Sequence, residues 1–361
     1  MKSDKTAVLY MGLILTALLA GCKTAPAEPV KVTVSAVPAY TAAPTFTPAP
    51  LPTSVPTATP RPDFLAYGEK SGFALEVQER LYALGYLQEE EVTGVCGEET
   101  QTAFRKFLWQ RDPKAQETSE TGFEKASLDA LFADDAPVYD EFVHLAPTTR
   151  MEFAELIGDN GDWALPLGYP KAGTYYIVVD IAHQVTMVYT QDEAGDYTVP
   201  VRYMLCSTGL GNRTPTGTFS MGAYRLRFSR FDRDGRYGQY WTQIRRAIYF
   251  HTTLYTQRTA ASYQASTFLE LGEKASHGCI RLTVPDARWM WYHIAPGTEC
   301  LIRTGDKNDA ETAAIREKLI LAQPPEEQLA LIPGQIPSTD NYDYLTLPHD
   351  EPFVQGSQNG G

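Results

Sequence analysis

The stretch YYIVVDIAHQVTMVYTQDEAGDYTVPVRYMLCSTG, residues 175–209, decides the fold. It holds three runs rich in Val, Ile, Tyr and Thr, separated by turn residues of which DEAGD, 192–196, is the clearest. Such residues fit a pleated, half-buried surface, and short turns between them join neighbouring strands. The spacing predicts strands over YYIVVDIA, HQVTMVYT and YTVPVRYMLCSTG. Downstream, GNRTPTGTFSMGAYRLRF and YWTQIRRAIYFHTTL continue the pattern on either side of a charged loop. Strand following strand without helices between predicts an antiparallel sheet or a sandwich, not a parallel α/β sheet. One strong helix is expected at 285–293, opened by proline and aspartate and packed through Ala287, Met290 and Trp291. GTECLIR, 297–303, reads as the closing strand.

Toward the N-terminus the period changes. Leu75, Val77, Leu81, Leu84 and Leu87 follow helical spacing, and Gly85 with Tyr86 marks the end of that helix. Glu98 or Glu99 opens a second helix with Ala103, Phe104, Phe107 and Leu108 on its apolar face. A third fits SLDALF, 127–132. VQERLYALGYL followed by TGVCGEETQTAFRKF resembles the three-helix peptidoglycan-binding domain, with Thr93 where that family usually has aspartate and Cys96 in place of a bulkier apolar residue. The resemblance implies a wall-binding module over 64–135, with a connector over 136–172.

Ahead of it lie a tether and a leader. Residues 22–62 are dominated by Pro, Thr, Ala and Val, and frequent proline blocks both helix and sheet ladders. Lys2 and Lys5 precede an apolar run, 6–20, too short for a comfortable membrane span. The run ends Leu19-Ala20-Gly21-Cys22, which resembles the lipobox of bacterial lipoproteins. That resemblance implies cleavage of residues 1–21 and lipidation of Cys22. The expected location is extracytoplasmic, with the membrane as a partner through the lipid. Residues 305–361 are read as one helix, about 309–322, and a flexible tail. The whole is an α+β multidomain chain, a small three-helix bundle followed by a mainly β catalytic domain, 173–304.

The chemistry centres on SHGCIRL, 276–282. A thiol is a poor nucleophile until ionised, and a neighbouring imidazole or cation is expected to lower the pKa of Cys279 into the working range. Gly278 lets the backbone turn sharply, so that amides at Gly278 and Cys279 can face a developing oxyanion. His251, at the end of IYFHTT, is the first candidate for the base, and His277 its competitor. His277 and Ser276 are expected to position the loop by hydrogen bonds. Arg281, always charged, is expected to hold a substrate carboxylate or to stabilise the loop beside the thiolate. Neither HExxH nor a CxxC pair is present, so zinc chemistry has little support.

His251 and SHGCIRL, with STG at 207–209 and TPTGTF at 214–219, resemble the catalytic domain of the YkuD-like L,D-transpeptidases. The resemblance implies a β-rich sandwich or barrel, Cys279 as the acylated nucleophile, His251 as the base, and no cofactor. The implied partners are peptidoglycan stem peptides and glycan. Cys279 would attack the L-centre carbonyl of the third residue of a tetrapeptide stem, expel D-alanine, and pass the acyl group to an amine. Two alternatives stay open: an L,D-carboxypeptidase using water, and a wall-binding lipoprotein without activity. The separation of His251 from Cys279 is wider than that family usually shows, and YTQRTAASYQASTFLELGEKA, 255–275, reads as a lid or a longer surface loop. Tyr255 and Tyr263 within it are expected to pack.

Composition bounds these readings. At 361 residues with 43% hydrophobic content the chain can build two cores, and its formal charge of −13 argues against a nucleic-acid partner, because polyanion binding needs a basic face. Of five cysteines, Cys22, Cys96, Cys206, Cys279 and Cys300, those without an assigned role are expected to be buried free thiols.

Overall fold

A computed structural model describes residues 61–113, 119, 121–158, 166, 168–324 and 326–329. The leader, Cys22, nearly all of the tether and the C-terminal tail lie outside the described residues.

The first helix, α1 (Gly72–Ala83), starts where Ser71 accepts a hydrogen bond from the Ala74 amide at 3.0 Å. Its buried stripe is Phe73, Ala74, Val77 and Leu81, while Leu75 is 38% exposed. The helical period is as expected, but the stripe is rotated away from Leu75. The second helix, α2 (Glu98–Arg111), buries Ala103, Phe104, Phe107 and Leu108. An antiparallel pair, β1 (Phe64–Ala66) with β2 (Gly122–Glu124), was not apparent in the sequence and brings Phe123 flat against Phe104 at 4.0 Å. The third helix, α3 (Lys125–Phe132), adds Leu128 and Leu131 to the same core. Two short helices, α4 (Glu141–Leu145) and α5 (Phe153–Leu156), occupy the connector.

The remaining strands are β3 (Tyr176–Asp180), β4 (Val185–Gln191), β5 (Tyr197–Leu205), β6 (Gly217–Ser220), β7 (Arg225–Arg230), β8 (Tyr237–Arg245) and β9 (Ile248–Thr252). After a short helix, α6 (Ala265–Leu269), come β10 (Ile280–Leu282), α7 (Val284–His293), β11 (Glu299–Arg303) and α8 (Ala310–Leu319). They form a five-stranded sheet, β5-β4-β3-β11-β6, and a four-stranded sheet, β10-β9-β8-β7. The region is thus mostly β, but not purely antiparallel. β3 with β11 and β9 with β10 run parallel. Parallel neighbours need a long crossover, and each of these pairs is joined through one.

Between the sheets Ile177, Val179, Val188, Met204, Tyr240, Phe250, Ile280 and Leu282 form one core with α7. That helix is buried nearly all round, its polar Asp286, Arg288 and His293 included, with Met290 and Trp291 completely so. Its one carboxylate, Asp286, is answered by Arg202 Nε at 3.1 Å and by the hydroxyls of Thr283 and Thr148. A buried charge is tolerated only when so satisfied.

The β9–β10 crossover is neither a lid nor a loose loop. Tyr255, Tyr263 and Phe268 are buried in a core with Phe153, Ile157 and Phe228, and the Tyr255 hydroxyl donates to the Ile157 carbonyl at 2.6 Å. Cys96, Cys206 and Cys300 are buried and free.

Candidate active site

The site is built by the parallel pairing of β9 with β10. Its register sets Ile280 beside Phe250 and Arg281 beside His251. Successive strand residues face opposite sides, and Phe250, Ile280 and Leu282 point into the core. The alternate set, Tyr249, His251 and Arg281, therefore faces the other side. Continuing that alternation puts Cys279 on the face of His251, one register step away beside Tyr249. Cys279 is half-buried, with Sγ 3.5 Å from the Ala247 carbonyl.

His251 is buried under aromatic rings. Phe231, from the β7–β8 loop, lies 4.8 Å from it centroid to centroid and Trp241 lies 5.6 Å away. Gly238 permits this packing. A Cβ there would stand 3.3 Å from His251 Nδ1 and from atoms of both Phe231 and Trp241. His251 Nδ1 is 2.6 Å from the Thr252 carbonyl. A carbonyl only accepts, so Nδ1 carries the proton and Nε2 is left as the basic lone pair. Burial, reinforced by the charge of Arg281 and opposed by the Thr252 hydrogen bond, pushes the His251 pKa down to about 3. Burial pushes the Cys279 thiol up to about 11, with the Tyr249 amide and Arg281 offsetting part of the rise.

These directions correct the expectation of a thiol already lowered into the working range. At neutral pH both groups are uncharged, so a thiolate forms only as its proton moves. Neutral resting partners follow from burying the imidazole and half-burying the thiol, which leaves the ions of both poorly solvated.

The loop that carries Cys279 is held by two hydroxyls. Ser276 Oγ donates to the Cys279 carbonyl and accepts from the Gly278 amide at 3.0 Å. Thr214 Oγ1 donates to the Gly278 carbonyl at 2.9 Å and accepts from the Gly209 amide at 2.7 Å. The Gly278 amide is therefore occupied by Ser276 rather than open to an oxyanion. Gly278 has φ +138°, and a Cβ would meet the Arg213 carbonyl at 3.1 Å and Ile248 Cδ1 at 3.2 Å. Only glycine fits there.

His277 does not hold the loop by a hydrogen bond. Its side chain is 45% exposed and its nearest charged partner, Asp234, stands 3.9 Å away, too far for one. Burial and the charges of Arg233, Arg213 and Arg281 lower its pKa, against Asp234. Arg281 is turned inward. Nη1 donates to Glu270 Oε2 at 2.7 Å, and its backbone exchanges two hydrogen bonds with Ser207, each 2.9 Å. Its Nε is buried without a partner. Thr214, Thr252 and Glu270 are site residues that sequence reasoning did not single out. Thr214 lies inside the TPTGTF motif, whereas Glu270 carries no local signal at all. Among the described residues no three His, Cys, Asp or Glu are grouped so as to hold a metal.

Residues 174–302 match the YkuD family, the L,D-transpeptidase catalytic domain. YciB of Bacillus subtilis (strain 168), which carries an L,D-transpeptidase name, is 31% identical over 151 residues, 39% of this chain and 74% of that protein. This chain belongs to the L,D-transpeptidase family. Among solved structures, an L,D-transpeptidase from Mycobacterium smegmatis is 19% identical, covering 36% of this chain and 58% of that one at a TM-score of 0.29. A fused Zn-dependent amidase/peptidase/peptidoglycan-binding domain protein from Clostridium acetobutylicum ATCC 824 is 21% identical, covering 67% of this chain and all of that one, also at 0.29. The match to the L,D-transpeptidase family spans every residue of the site just described.

Proposed function

We propose that the protein is a peptidoglycan L,D-transpeptidase in which Cys279 is the nucleophile and His251 the base. The observation that carries this reading is the β9–β10 register. It pairs Arg281 with His251, and strand alternation carried back from Arg281 puts the half-exposed Cys279 thiol on the face of a buried imidazole whose free nitrogen is the basic one. Among the described cysteines, Cys279 alone is not buried.

The steps follow from that pair. As sulfur attacks the third-residue carbonyl of a tetrapeptide stem, its proton passes to His251 Nε2. The tetrahedral oxyanion is met by the Cys279 amide, because the Gly278 amide is engaged by Ser276. Collapse breaks the bond to D-alanine, whose amine takes the proton from His251, and leaves a thioester. An acceptor amine then attacks, gives its proton to His251, and expels the sulfur. Proton return to Cys279 restores the uncharged resting pair. Ser276 and Thr214 keep the loop rigid throughout.

The helical region, 64–135, serves as the wall-binding module and lipidated Cys22 as the anchor in this reading. Support for both comes from the sequence motifs alone. Purified tetrapeptide muropeptides should yield free D-alanine and cross-linked dimers. Monomeric tripeptides without dimers would instead identify an L,D-carboxypeptidase. Cys22→Ser should move the protein from the membrane fraction to the soluble one, and its retention would defeat the anchor.

A further inference from the structure

The β9–β10 crossover reaches the site through one side chain. Glu270 directly follows α6, and its backbone carbonyl accepts from Ser207 Oγ at 2.8 Å. Ser207 in turn pairs with the backbone of Arg281. The Glu270 carboxylate meets Arg281 Nη1 at 2.7 Å, where the arginine side chain is 6% exposed and that of Glu270 47%. Two independent contacts thus lock Glu270 to the strand that carries the nucleophile loop.

We propose that Glu270 is a positioning residue, the counter-ion that holds Arg281 in place and sets how much of its positive charge reaches Cys279 and His251. The inference rests on the reading of Cys279 and His251 as the reacting pair. The groups facing Arg281 are Glu270 from the crossover, Arg236 and Asp234 from the β7–β8 loop, His251 across the ladder, and His277 and Cys279 on its own segment. Arg236 repels it and Asp234 attracts it, but among the described residues only Glu270 makes an ion pair with it. Positive charge from Arg281 favours the Cys279 thiolate and disfavours a protonated His251. A carboxylate on Arg281 weakens both effects. The crossover therefore does more than complete a core: it carries the charge that balances the site.

The test uses the full chain and needs no peptidoglycan. Iodoacetamide alkylation of Cys279 is followed by peptide mass between pH 7 and 10 (about the range in which the thiolate fraction controls the rate). Glu270→Gln exposes the arginine charge, so the thiol should ionise about 0.5–1 pH unit lower. Alkylation at fixed pH should rise about two- to fourfold, the gain being tempered by the weaker nucleophilicity of a less basic thiolate. Glu270→Asp, which keeps the charge on a shorter arm, should shift the profile the same way but less. It decides the matter if Glu270→Gln does not fold. Glu273→Gln removes the same formal charge from the partner of Arg316 and should leave the profile unchanged. With muropeptide substrate, Glu270→Gln should lower kcat about tenfold and move KM by less than about twofold, the mark of a group acting through the reacting pair. An alkylation profile equal to wild type, or one shifted as far by Glu273→Gln, overturns the proposal. A shifted profile in a protein that turns over no muropeptide would uphold the coupling and refute the transpeptidase reading.

Discussion

The two parallel strand pairs of this protein make a controlled comparison. In β3/β11 the register sets Asp180 against Arg303, and Arg303 Nε donates to Asp180 Oδ2 at 2.7 Å. The same carboxylate accepts from the backbone and ring of His183, and Arg303 reaches on to Asp309 and Thr312. Charge is matched across the ladder and closed on itself. In β9/β10 the register sets Arg281 against His251, where no charge match is possible. The imidazole stays neutral, the counter-charge comes from Glu270 outside the ladder, and a thiol is left half-exposed. The closed pair is a clasp. The unmatched one leaves a neutral imidazole and a half-exposed thiol on one face, the local inconsistency expected where a site is kept reactive.

Substitutions in the two pairs should therefore fail differently. Cys279→Ala should reduce D-alanine release and dimer formation by about 10⁴-fold or more while moving Tm little. Retention of a tenth of the turnover would erase the distinction. Gly278→Ala forces a side chain into φ +138° against Arg213 and Ile248. Turnover should fall about 100-fold with a stability loss of about 1–3 kcal/mol. An unchanged kcat would show that the loop conformation is not needed. Asp180→Asn in the closed pair should cost about 2 kcal/mol by denaturant titration, since Arg303 and His183 lose a buried charge partner, with kcat per folded molecule unchanged. A drop in kcat without loss of stability would reverse the roles assigned to the two pairs.

The smallest effect is a pH dependence. The folded pKa of His251 is depressed to about 3 from 6.5, so between those values the unfolded chain binds the extra proton. Stability contributed by keeping this ring neutral is present above about pH 6.5 and is lost as pH falls toward 3. Acidification from pH 6.5 to 5.5 should remove about 1 kcal/mol. That loss should be absent in His251→Gln. An equal loss in the variant would place the titration elsewhere.

Much of the β region was legible because its determinants are local. Alternation with turns located β3, β4 and β5, and proline with aspartate located α7. The cysteine loop announced its chemistry through residue types packed into seven positions. The sequence also carried Tyr255 and Tyr263 as packing residues, and both are buried. Parallel pairing was not legible, since a hairpin is encoded by its turn whereas a parallel partner is chosen by contacts across a crossover. The inward turn of Arg281 onto Glu270 and the exposure of His277 were hidden for the same reason. So was the rotation of the α1 stripe away from Leu75.

By itself the sequence determined the candidates for the proposed chemistry, a thiol, an imidazole and a glycine turn, and the strands and helix that carry them. Only the tertiary structure decided that β10 lies beside β9, that the thiol and imidazole are uncharged at rest, and that their balancing carboxylate comes from the crossover. Side-chain chemistry is a property of the residue. Charge state and neighbourhood are properties of burial and register, which exist only once distant segments have packed.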